Sequence, residues 1–325
     1  MRRHKSRSGT VLALALTASL AAACGGSDPA SSDGTGLEKT TIKVAMLSLV
    51  NNAPYYIAVK EKLFEAEGLT VQTQPVQQST QAYPALKNGD IDLVFANDAS
   101  LLLGHDKGDM RIALVSEGTR LTPRFMGVLV MPNSPVQTAK DLEGRSLTVH
   151  VLNNIQAITF NAVAKANGAD PAKIQYRQVV FPQMAAAMQK GDVDAIHVTE
   201  PFLSDAQEKL GARLVADGGG APVTDLPLDG YFSLADWAQK NPKTAAAFQR
   251  AMRKAQEMAA DRTRVEQILP TYARNVDTEI VKAMTLPAYP TANSVERVQA
   301  LIDLMREQGL LTNPLDAKII VVGAS

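Results

Sequence analysis

Two periods of apolar spacing alternate along most of this chain, one suited to strands and one to helices. Thr41 to Val50 (TIKVAMLSLV) is a mostly apolar, β-branched run that predicts a buried first strand. Asn51-Asn52 and Pro54 follow; proline suits the first turn of a helix, here predicted to run to about Glu67 and to stop at Gly68. Leu69 to Pro75 alternates as a second strand, Ser79-Thr80 is placed to cap a helix ending near Gly89, and Ile91 to Phe95 is a third strand. Further strands are predicted at Arg111 to Ser116 and Phe125 to Met131. The pattern then starts again: strands at Ser146 to Leu152, Ile174 to Val180, Val193 to Val198 and Ala212 to Ala216, with helices from Asn154 to Asn167, from Pro182 to Lys190 and after Pro201. The last hundred residues read as helical, with Phe248, Met252 and Ala255 on one stripe, and Val295, Val298, Leu301, Ile302 and Met305 on another that stops at Gly309. Gly218-Gly219-Gly220 and Pro222 predict an irregular crossing between halves.

The restart is a repeat. Asn51-Asn52 returns as Asn153-Asn154 at an offset of 102, and QAYPALKNGDIDLVFAND (81–98) returns as QMAAAMQKGDVDAIHVTE (183–200) at the same offset. Alternating strands and helices in two similar copies predict an α/β chain of two lobes, with mainly parallel sheets flanked by helices and a ligand cleft between the lobes. The expected division is 40–127 with 225–325 as a discontinuous first lobe, 128–224 as the second, and hinge strands near 128–131 and 222–228.

The ends change the picture of location. Arg2, Arg3, Lys5 and Arg7 precede an apolar run from Val11 to Ala23 that is too short to span a bilayer as a stable helix. The run stops at Ala21-Ala22-Ala23-Cys24-Gly25. Residues 1–23 are therefore expected to be a lipoprotein signal peptide, with Cys24 lipidated as the new N-terminus. Leu20 stands four residues before Cys24, where such sites prefer leucine at three. The Gly-, Ser-, Asp- and Pro-rich stretch 24–39 reads as a flexible tether. Cys24 is the single cysteine, so no disulfide within the chain and no cysteine metal site are possible. Basic and acidic residues number 33 each, and four of the basic ones lie in the leader. The remainder is slightly acidic, which argues against a nucleic-acid surface.

Ligands of open α/β sheets sit beyond the carboxyl ends of strands. That rule selects Asn51, Asn52, Ser79, Thr80, Asn97, Asp98, Asn153, Asn154, Thr199 and Glu200 as candidate ligand-binding residues. Several of them precede helices, so capping alone also accounts for their residue types. Tyr55, Phe202 and Tyr231 are aromatic candidates near the cleft. Arg120 and Arg124 flank the approach to the hinge, and Arg124 is taken as a candidate for holding an anion. Asp98 and Glu200 are equivalent across the repeat; for Glu200 a structural ion pair or a capping role is the favoured reading. No histidine pair has metal-ligand spacing, and no phosphate loop, nucleophile elbow or His-Glu-x-x-His motif occurs. No catalytic residue, metal or cofactor is expected.

The stretch LVNNAPYYIAVKEKLFEAEGLTV resembles the opening of solute-binding proteins for nitrate, sulfonate, taurine and thiamine-pyrimidine uptake. Asn51, Pro54, Leu63-Phe64 and Gly68-Leu69 match its pattern, as do ALKNGDIDLVFA (85–96), KDLEGRSLTV (140–149), MQKGDVDAIHVTEPFLS (188–204) and NPKTAAAFQRAM (241–252). Where the family often has Trp before Glu-Pro, this chain has Thr199. The resemblance implies a type 2 periplasmic-binding-protein-like fold. It implies a monomer that captures a small organic or oxyanion nutrient on the outer side of the membrane and delivers it to the permease and ATPase subunits of an ABC importer, with the lipid anchor its only membrane contact. Two other classes stay open: a ligand-sensing or docking lipoprotein, and an enzyme like the thiamine-pyrimidine synthases, which use cysteines this chain lacks.

Overall fold

The computed structural model describes residues 36–273 and 276–323. The expected leader, Cys24 and most of the expected tether lie outside them. Among the described residues, ten strands form two five-stranded sheets. The first contains β1 (Thr41–Met46), β2 (Thr70–Pro75), β3 (Leu93–Asn97) and β4 (Ile112–Arg120). The second contains β5 (Met126–Val130), β6 (Ser146–Val149), β7 (Gln175–Gln178), β8 (Ala195–Thr199) and β9 (Arg213–Asp217). The last strand, β10 (Pro227–Leu234), returns to the first sheet. The orders are β2-β1-β3-β10-β4 and β7-β6-β8-β5-β9.

In each sheet four strands share one direction and a fifth runs against them. Both sheets are thus mainly parallel in strand direction, as the sequence pattern predicted, each made mixed by one opposed strand. The opposed strands are β10 and β5, and each comes from the other half of the chain. The repeat thus covers five strands, β1–β5 followed by β6–β10, with the fifth strand of each copy exchanged into the other copy's sheet. Asp229 pairs with Asn97 as Met126 pairs with Thr199, and Gly230 with Ala96 as Gly127 with Val198. Both glycines pack closely under leucine side chains that would have to move for any larger residue. A Cβ on Gly127 would lie 2.3 Å from Leu214, and one on Gly230 would lie 2.5 Å from Leu114.

The Gly-Asp-x-Asp turns of the repeat have a structural cause. Asp92 accepts the N–H of Lys43 (2.8 Å) at the start of β1, and Asp194 accepts that of Ser146 (2.9 Å) at the start of β6. Each acid satisfies a strand-end donor that the ladder leaves free. Glycine supplies a left-handed step after helices, as at Gly191 (φ 78°).

The chain crosses between sheets at 121–125 and 218–226. Leu121 donates to the Leu226 carbonyl (2.9 Å), and Asp225 donates back to Leu121 (3.1 Å). The hinge expected at 128–131 is displaced: those residues continue or follow β5, an interior strand of the second sheet. Its five-residue apolar run reads the same at a crossing or in a sheet, and only the pairing separates them. Gly219 lies where the crossings touch; a Cβ there would be 2.2 Å from the Thr122 carbonyl oxygen. Because backbone and not a flexible side chain is in the way, Gly219→Ala is expected to cost about 1–3 kcal/mol. A thermal melt checks this, and an unchanged Tm would show that the crossing yields freely.

Helices cover the sheets. The expected helix to Glu67 is two pieces, Ala53–Lys60 and Leu63–Ala66, broken where Lys62 takes φ 56°. Asp98–Asp106, between the third and fourth strands, is a helix that the sequence pattern did not assign. The long helix Pro242–Ala259 buries Ala245, Phe248, Met252, Ala255 and Ala259 on one stripe, and Phe248 stacks on Phe64 at 5.3 Å. Among the described residues no helix is long and apolar enough to cross a membrane.

Candidate functional site

The carboxyl ends of β1, β3, β6 and β8 open onto a cavity of about 670 Å³ between the two sheets. Of the residues selected from sequence, Asn51, Ser79, Thr80, Asn97, Asn154 and Thr199 line it. Phe202 lines it as well.

The floor is on the first-lobe side. β10 lies between β3 and β4, which sets Asp229 opposite both Asn97 and Thr119. Asn51 Nδ2 donates to Asp229 Oδ2 at 2.5 Å, and Thr119 Oγ1 donates to the same oxygen at 3.4 Å. Asn97 Nδ2 donates to the Leu228 carbonyl (2.8 Å). Burial pushes the Asp229 carboxyl up to about 6, while hydrogen bonds from Asn51, Thr119 and Asn97 pull against that shift. All three donors are neutral.

The opposite wall is aromatic. His150 stacks on Phe181 with ring centroids 4.5 Å apart and planes at 3°, and Phe181 stacks on Phe202 at 5.3 Å and 13°. Burial holds His150 below the ordinary histidine range, so the ring is neutral at pH 7. Gln156 ties this wall together. It accepts from the His150 N–H (2.7 Å) and donates to the His197 carbonyl (2.5 Å). Gln77, Gln78 and Gln81 line the cavity mouth with Ser79 and Thr80.

The other selected residues lie elsewhere. Asn52 is buried and donates to the Leu47 carbonyl, tying the loop after β1. Tyr55 and Tyr231 are core: Tyr55 is bonded to Thr73 (2.8 Å), and Tyr231 packs on Phe95 and Phe248. Asp98 starts the helix behind the floor, fully buried, with neither carboxyl oxygen hydrogen-bonded. Burial first, then Asp229 and Glu117, raise its carboxyl well above the usual range and hold it as the neutral acid. Asn153 is exposed at φ 56°, and its role is to turn the chain so that Asn154 caps the next helix. Glu200 and Arg124 line a different, smaller pocket with Ser204 and Thr285. There Glu200 accepts from Ser204 N (3.0 Å) and Oγ (2.8 Å) and from Thr285 N (3.1 Å), the capping role the sequence favoured. Arg124 is exposed in the crossing; its backbone N–H, not its guanidinium, is engaged, with Asp217 (2.9 Å).

Sequence reasoning missed Asp229, His150, Gln156 and Phe181. The signal for Asp229 was present: Met126-Gly127 and Asp229-Gly230 are 103 apart, in step with the repeat. It was obscured because the two strands end up in opposite lobes.

A family model described as "NMT1/THI5 like" matches residues 50–263, more than half of the chain. A protein of Escherichia coli (strain K12), named as a candidate aliphatic sulfonates-binding protein, is 30% identical over 163 residues, 50% of this chain and 49% of the relative. The nitrate/nitrite binding protein NrtA of Synechococcus elongatus is 25% identical over 278 residues, 77% of this chain and 62% of that protein. The matched part thus spans about half to three-fifths of these relatives. Among solved structures, the alkanesulfonate-binding protein SsuA from Xanthomonas axonopodis pv. citri, bound to MOPS, superposes with a TM-score of 0.73 at 20% identity, covering 87% of this chain and 98% of that one.

Proposed function

Because this chain belongs to the NMT1/THI5-like family, we propose that it is an extracytoplasmic solute-binding protein that captures a small nutrient between its lobes and delivers it to an ABC importer. The fold is that of type 2 periplasmic binding proteins, and fold and kinship are those of a binding protein rather than an enzyme. The observation that carries the reading is the cavity of about 670 Å³, sized for a small molecule and lined from both lobes above two facing chain crossings. The proposed starting range is nitrate, nitrite and sulfonates, which the relatives' names print, with taurine and thiamine-type pyrimidines from the sequence resemblance. Asn51, Ser79, Thr80, Asn97, Asn154 and Thr199 are the proposed contacts. Lipidation at Cys24 and partnership of a monomer with permease and ATPase subunits belong to the same proposal.

A solute that binds only the native protein raises its melting temperature, and in a hinged receptor it also shifts the population toward the closed form. Thermal shifts are therefore to be screened against nitrate, bicarbonate, sulfonates, taurine, aminopyrimidines, amino acids and polyamines. The solute with the largest shift is then followed by small-angle scattering. A saturable rise in Tm with a smaller radius of gyration is expected. A rise in Tm at constant radius, with chemical turnover of the solute, would sink the receptor reading.

A further inference from the structure

Among the described residues lining the cavity, His150 and Asp229 are the only ionisable side chains, and no lysine or arginine joins them. We infer that Asp229 is the specificity-determining residue of the cleft, selecting a solute that carries a protonated amine and rejecting simple oxyanions. This inference rests on the receptor reading and narrows its ligand.

The charge balance comes first. Asp229 is held by Asn51 and Thr119, and among the described residues no base reaches it. The nearby buried acid Glu117 on β4 does have a base, Arg297 at 3.0 Å, whereas Asp229, which lines the cavity, has none among the described residues. A buried carboxylate without a cation attracts a cationic partner and repels a second anion, and neither effect is screened as it would be in bulk water.

The helix starts would normally favour an anion, but two of those at this cleft are already spent. The Asn154 side chain accepts from Ile155 N, occupying the first donor of its helix. The helix Phe181–Lys190 carries Pro182 in its first turn, which has no N–H to offer.

The opposite wall fits the other end of such a ligand. The stacked His150, Phe181 and Phe202 rings present an apolar surface with π faces, suited to a hydrocarbon or planar body and favourable toward a nearby cation. The lobes are unequal in the one feature that sets polarity. Met126 occupies in the second sheet the register position that Asp229 holds in the first. A ligand is thereby oriented with its amine toward the first lobe.

The test uses matched pairs on the purified protein by calorimetric titration: taurine against ethanesulfonate, benzylamine against benzenesulfonate, and sodium nitrate alone. The amine member of at least one pair is expected to bind tenfold or more tightly than its amine-free partner. Asp229→Asn is expected to weaken that amine by tenfold or more while its ligand-free melt stays cooperative. Tighter binding of ethanesulfonate, benzenesulfonate or nitrate overturns the inference and leaves the receptor reading standing, as does an amine affinity that Asp229→Asn does not change. Silence from every probe also overturns it, the receptor reading then being decided by the scattering experiment alone. The wild-type pair comparison holds even if Asp229→Asn does not fold.

Discussion

Arg297→Ala is expected to destabilise the protein by about 3–5 kcal/mol at pH 7.5, because it strands a buried charge. Glu117 is fully buried on β4. Its carboxylate accepts from Arg297 Nε (3.0 Å) and Nη2 (3.2 Å) and from the Ser294 N–H. Burial raises the Glu117 carboxyl above its ordinary value, with Arg297 as the largest opposing influence. Without the guanidinium the shift grows. An acid whose folded pKa is raised binds its proton more tightly in the native state. Its penalty is therefore absent below the unfolded value and develops as pH rises through the folded one. The defect should accordingly shrink as the buffer is taken from pH 7.5 to 5. Adding Glu117→Gln to Arg297→Ala should recover much of the loss, since a neutral amide needs no counter-charge. Urea denaturation at the two pH values reads both effects. A defect below about 1 kcal/mol, or one equal at both pH values, would mean that water reaches Glu117 and the pair is a surface bridge. The cleft depends on this pair indirectly. Glu117 is two residues from Thr119, which donates to Asp229, so the pair anchors the strand that presents the floor.

Phe248→Ala is expected to cost a further, independent ~3–5 kcal/mol, the range for removing a large aromatic from a core that cannot collapse. Phe248 is fully buried on the long helix Pro242–Ala259. Its ring stacks on Phe64 at 5.3 Å and meets Tyr231 edge-on at 5.3 Å, while Tyr231 meets Phe95 at 5.0 Å. Phe248 therefore joins the helix layer to the first sheet at β10, and small residues such as Ala245, Ala247 and Ala251 on the same helix leave no side chain able to move into the gap. The urea midpoint should fall with little change in its slope. Phe248→Leu, which keeps most of the volume, should lose much less. Equal losses for the two variants would show that ring geometry, not filled space, is what matters there.

These two expectations also locate where the molecule is rigid. The first lobe's floor is backed by an aromatic core and a paired acid, whereas of the crossings at 121–125 and 218–226 the second carries Gly218-Gly219-Gly220, and few backbone bonds join the two. Binding energy delivered across the cleft would act on the crossings, because they resist least.

The sequence by itself determined the local elements and their duplication. Periodicity placed nearly every strand of the repeat, since interior strands carry mostly apolar runs and edge strands such as β2 alternate, both local patterns. The Gly-Asp-x-Asp turns were legible because the acid serves the strand immediately beside it. The cleft residues Asn51, Asn97, Asn154 and Thr199 were legible because the ends of parallel strands in an α/β sheet meet at one edge. Tertiary structure alone decided which carboxylate matters. Asp98 and Glu200 stood at matching strand ends, yet one is sealed behind the floor and the other caps a helix facing a different pocket. Asp229 was obscured, although Met126-Gly127 and Asp229-Gly230 stand in step with the repeat, because its strand is exchanged between lobes and its partners are fixed by pairing across that exchange. The same holds for the aromatic wall: His150, Phe181 and Phe202 lie on separate segments, and only packing stacks them.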